Sequence, residues 1–125
     1  MDNCNTENEK NIKGEMELPV YNKLVRDLIP EVIEKNGKKC STRVLAPEQH
    51  LGEIKLKMQE EALEFKEATN QKDELEELAD VLELVHAALD VYNVSFQELE
   101  QVRLAKKEKR GGFSKGMYLL EVEDD

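Results

Sequence analysis

Few residues in this chain break regular structure. There are three prolines and six glycines in 125 residues, too few for a loop-dominated architecture. Residues are 39% hydrophobic and 37% charged, which suits a helix-rich domain with a modest core and a heavily solvated surface. The chain has the length of one domain. Two cysteines, Cys4 and Cys40, make no disulfide framework, and neither has a partner at metal-ligand spacing. His50 and His86 are isolated in the same way and read as surface or packing histidines. No apolar run approaches the roughly 18 residues a membrane span needs. The stretch from Met1 to Lys10 has no apolar core of the kind a secretory signal carries. The expected location is the cytoplasm.

Positive charge is also scarce. Eighteen Lys and Arg stand against 28 Asp and Glu, for a formal charge of −10. That balance argues against binding a nucleic-acid polymer, which depends on neutralising phosphates with basic side chains. The acidity is concentrated rather than diffuse. Between Glu60 and Glu83 there are ten acids against two bases, Lys66 and Lys72, so this stretch carries −8 of the total. Such a density of acid either faces water or binds cations.

Residues 1–16 are polar and without periodicity, and read as a disordered leader; the domain is expected over 17–125. Asp27 is a plausible N-cap for a short helix that ends at Asn36 and Gly37, with Pro30 in its first turn. From Pro47 to about Ala68 runs a long helix, with Leu51, Ile54, Met58, Ala62 and Phe65 three and four apart. Residues 69–72 break the pattern. A second long helix is expected from about Asp73 to Val91, with Leu75, Leu78, Leu82, Val85 and Leu89 on one stripe. Val81, Leu84 and Ala88 lie beside that stripe, so this helix is apolar around much of its girth and calls for cover on two sides. A homodimer would supply the second side. Ser95 and Glu98 form a capping box for a last helix, which ends in a basic turn at Arg110 before Gly111 and Gly112. Residues 42–46 and 117–122 have strand-like patterns and, if paired, would add a small two-stranded sheet. The expected fold is therefore mostly α: an antiparallel bundle of about four helices, with that β element as an addition.

Glu61 and Glu64 are three apart on the first long helix, and Glu77 and Asp80 are three apart on the second. Such pairs project from one side of a helix. The twelve residues between them suffice to end one helix, turn, and start another running back, so both pairs can aim into one space. Four carboxylates converging there suit a hard cation such as Mg²⁺. Spacing alone does not separate this from a solvated acidic helix face, because Glu is a good helix former. Two features favour a site. Glu60, Glu61 and Glu64 have little Lys on the same turn to offset them, and Glu77 and Asp80 sit among Leu75, Leu78, Ala79, Val81 and Leu82, where uncompensated charge is costly.

The pattern Glu61-x-x-Glu64, a twelve-residue gap and Glu77-x-x-Asp80 resembles the signature of the MazG-like all-α nucleoside triphosphate pyrophosphohydrolases. The opening Tyr21-Asn22-Lys23-Leu24-Val25-Arg26-Asp27-Leu28-Ile29-Pro30-Glu31 resembles the start of a house-cleaning branch of that superfamily. So does Arg110-Gly111-Gly112-Phe113-Ser114-Lys115-Gly116 near the end, and the likeness covers roughly residues 18–122. The resemblance implies Mg²⁺-dependent cleavage of a nucleoside triphosphate, standard or damaged, to monophosphate and pyrophosphate, with Mn²⁺ as a substitute metal. It makes Glu61, Glu64, Glu77 and Asp80 the metal ligands, and it favours a homodimer, the habit of the family. A general base would come from Glu61, Glu64 or Glu60. The substrate phosphates need cations: Lys23 and Arg26 first, then Arg110 and Lys115 beside the glycine turn, with Phe113 placed to pack on a base. The contrasting readings are an acidic helical module that binds a basic protein, and a nucleotide-binding protein without turnover.

Overall fold

A computed structural model describes residues 20–124; the expected leader, the first residues of the expected domain and Cys4 lie outside them. Four helices follow in order: α1 (Ile29–Lys35), α2 (Pro47–Glu67), α3 (Gln71–Tyr92) and α4 (Phe96–Arg110). Their ends follow from local chemistry. Pro30 stands in the first turn of α1, whose N-cap is Leu28 rather than Asp27, with no side-chain cap. Pro47 opens α2, where its missing N–H costs nothing. α3 starts two residues earlier than the periodicity suggests because Asn70 caps it: the Asp73 N–H donates to Asn70 Oδ1 at 2.9 Å. It stops at Asn93, which takes the left-handed conformation with φ of 60°. The α4 capping box forms as expected. The Glu98 N–H donates to Ser95 Oγ at 3.1 Å, and the Ser95 N–H donates to Glu98 Oε1 at 3.0 Å. Gly111 leaves α4 at φ of 84°, a conformation that favours glycine.

Three residues join α2 to α3, so the two helices fold back on each other as a hairpin and pack along their lengths. α4 meets α3 near its own start, where the His86 and Phe96 rings stack at 4.8 Å; none of its residues is buried. Among the described residues there is no strand. Segments 42–46 and 117–122 do not pair, and the small sheet does not form within the chain. No described helix is long and apolar enough to cross a membrane.

Burial in this chain is unusual in content. Among the described residues the buried apolar side chains are Ile29, Ile54 and Leu89, and the buried charged ones are Lys57, Glu61 and Asp80. Meanwhile Leu75, Leu78 and Leu82 of the expected core stripe are each about half exposed. At about 100° per residue these leucines and the Glu77/Asp80 pair lie about 160° apart around α3. The carboxylates face α2, so the leucines face outward. Each such leucine would gain on the order of 1 kcal/mol from completing its burial.

Candidate metal centre

The hairpin brings the two acidic pairs together. Glu61 comes from the last third of α2, Glu77 and Asp80 from the first half of α3, and one oxygen from each of the three lies within 4.8 Å of the other two. Glu61 is 2% exposed and Asp80 6%. Oε1 of Glu61 and Oε1 of Glu77 are buried without a hydrogen-bond partner. Buried carboxylate oxygens left unpaired are costly, and native structures leave few of them unless an ion or water completes them. Glu64 stands outside this trio, half-buried one turn further along α2 and against Glu77. The four expected ligands thus divide into a tight three and a neighbour.

Electrostatics follow from the crowding. Burial, then Glu77 within hydrogen-bonding reach, then the charges of Glu64 and Asp80 push the Glu61 carboxyl up to about 8. Glu64 is raised too, by burial first and by Glu77 second. Burial works in the same direction on Asp80, but the Arg26 guanidinium opposes it. Arg26 donates to Asp80 Oδ1 at 2.5 Å across 54 residues of sequence, and its side chain is 48% exposed. It therefore links the cluster to solvent.

Lys57 is the residue that spacing did not single out. It lies one turn before Glu61 on the same face of α2, is 5% exposed, and donates to Glu60 Oε1 at 3.3 Å. Its charge partly offsets the rise at Glu64. The i to i+4 step from Lys57 to Glu61 was the available signal, hidden because a lysine is ordinarily read as surface. The first turn of the acidic run is thus less bare of positive charge than the sequence suggests.

The remaining basic candidates are elsewhere. Lys23 is exposed, as are Arg110 and Lys115, and none of the three forms an ion pair among the described residues. Phe113 is 99% exposed. Within one chain the structure brings Arg26 to the carboxylates and leaves these four apart from them. Cys40 is a free thiol whose Sγ lies 3.9 Å from the Pro30 carbonyl oxygen, in keeping with an ordinary thiol.

The donor set suits a hard divalent cation. Three carboxylates offer only oxygen, two of the oxygens lack any other partner, and Arg26 marks a solvent side where water or phosphate oxygens could complete the shell. Comparison with protein-family models, curated proteins and solved structures found no match to this chain. The functional reading therefore rests on these residues and their geometry.

Proposed function

We propose that this protein is a Mg²⁺-dependent pyrophosphohydrolase of the MazG-like kind, cleaving nucleoside triphosphates to monophosphate and pyrophosphate. The observation that carries the proposal is the convergence of Glu61, Glu77 and Asp80, with two buried oxygens that have no partner in the protein. In this reading those three carboxylates hold the metal. When bound, Mg²⁺ supplies neutralisation of the triphosphate and a lowered pKa for attacking water.

The chain's own residues divide the rest of the work. Arg26, fixed by Asp80 yet half open to solvent, is the cation that meets the phosphates, for which a guanidinium's two-pronged contacts are suited. Glu64 lies beside the trio, half-buried and outside the three oxygens that converge, so in this reading it is the carboxylate left to take the proton from attacking water. Lys57 holds Glu60 and leaves it less free for that role. The substrate brings phosphate oxygens to an acidic site, so nucleotide and metal bind together.

The test is a panel of standard and modified triphosphates assayed for pyrophosphate with Mg²⁺ present and absent, Mn²⁺ serving as a second metal. The expected result is metal-dependent release that Glu61→Gln and Asp80→Asn abolish. Release that survives either substitution would remove the catalytic assignment. An acidic module for a basic protein predicts no metal dependence and no stabilisation by nucleotide. A binder without turnover predicts stabilisation without pyrophosphate.

A further inference from the structure

The end of the chain carries an unexplained surface. Met117, Tyr118, Leu119, Leu120 and Val122 are 73–88% exposed. No backbone group from 117 to 124 is hydrogen-bonded to another described backbone group. A contiguous apolar arm of this kind marks an interaction site, and nothing described in its own chain holds it. Just before it, residues 103–116 hold six bases and one acid, a net charge of +5.

The complementary surface is on α3. Leu75, Leu78 and Leu82 form an apolar stripe, 46–56% exposed, on the side away from α2. By helical position Glu74 borders it on one side, and Glu76 and Glu83 on the other beside a single base, Lys72, so the rim is acidic on balance. An apolar centre with an acidic rim meets an apolar arm with a basic approach, the pattern by which interfaces combine burial with charge matching. The stripe is left about half exposed within the chain, and no residue of α4 is buried. Both halves of the match are on the same sequence.

We propose that a second copy of this chain docks its C-terminal arm, residues 113–122, on the Leu75/Leu78/Leu82 stripe, and that the exchange is reciprocal. Two such contacts related by a two-fold axis close into a dimer and leave neither arm exposed. This gives the expected homodimer a specific interface, and it stands whether or not the carboxylate cluster hydrolyses nucleotides.

Sedimentation equilibrium and cysteine pairing on the full chain test the proposal together. The protein is expected to be dimeric. Leu78→Asp, and separately the double change Tyr118→Asp with Leu120→Asp, should each raise the dimer dissociation constant at least tenfold while circular dichroism keeps its helical signal. In a background of Cys4→Ser and Cys40→Ser, one chain carries Leu78→Cys and another Leu120→Cys. Mixed under mild oxidation, the two should form the mixed disulfide in excess over either like pair. A monomer at all concentrations would overturn the proposal, as would a dimer indifferent to both sets of substitutions. So would a bond that forms within one chain bearing both cysteines while the mixture forms none.

Discussion

The two faces of α3 carry the reverse of what a helix packed in a hairpin normally carries. The face against α2 presents Glu77 and Asp80, and the face toward solvent presents Leu75, Leu78 and Leu82. Further along the same helix the positions that face α2 turn apolar: Leu84, Ala88 and Val91 continue the Glu77/Asp80 side and are half-buried. One helix therefore has a conventional half that holds the hairpin together and an inverted half. Inversion is costly twice over, since buried acids repel and exposed leucines lose the gain of burial. A cation on the inside and a protein surface on the outside would remove both costs, which is why we propose a site on the acidic face and an interface on the leucine face.

The largest expected effect comes from removing charge on the inner face. Glu61→Gln should lower pyrophosphate release by more than about 100-fold, beyond the 10- to 100-fold typical of changes around metal ligands. Above about pH 8, where Glu61 is ionised in the fold, the same change should make the metal-free protein more stable, by roughly 1–3 kcal/mol, because an unpaired buried charge disappears. Thermal unfolding in a chelator checks this. A solvated acidic face predicts neither effect.

Next comes the contrast along the helix. Leu89→Ala empties a buried position and should cost roughly 2–5 kcal/mol in denaturant unfolding. Leu78→Ala, measured dilute enough to keep the chain monomeric, should cost under about 1 kcal/mol. Equal costs would mean that the stripe is already covered within the chain.

Arg26→Ala should reduce kcat/KM about tenfold or more by raising the KM for the triphosphate, with Arg26→Lys recovering part of the loss. The gentlest probe is pH. The Glu61 carboxyl sits at about 8 in the fold against an ordinary 4.5. Its folded-state pKa is raised, so the stability it contributes to the metal-free protein is fully present below about 4.5. That contribution is lost as pH rises through about 8. Metal needs the ionised form, so Mn²⁺ affinity should rise about tenfold per pH unit up to about 8 for one proton released, then level off. Calorimetric titration at several pH values measures the slope.

Much of this could be read in the sequence. Helices α2 to α4 follow from three- and four-residue periodicity and from the Ser95/Glu98 capping box, because those signals are local. The pairing of Glu61 with Glu77 and Asp80 also followed, since a twelve-residue gap on two helices leaves one way to fold back. Arg26 was named by its motif, as a contact for phosphate, and it lies against Asp80. What was hidden is tertiary. Periodicity marked the Leu75/Leu78/Leu82 stripe as apolar but could not tell which neighbour covers it. Lys57 was missed because its burial depends on how α3 lies across α2. Residues 42–46 and 117–122 have strand-like patterns, but a strand needs a partner in register, and the chain alone provides none.

The most direct measurement is thermal unfolding with and without Mn²⁺, for the unaltered chain and for Asp80→Asn. The expected result is a rise of several degrees in Tm for the unaltered chain, as binding to the folded state alone requires, and little or none for the variant. An equal rise in both, or no rise in either, would contradict a metal centre built from Glu61, Glu77 and Asp80.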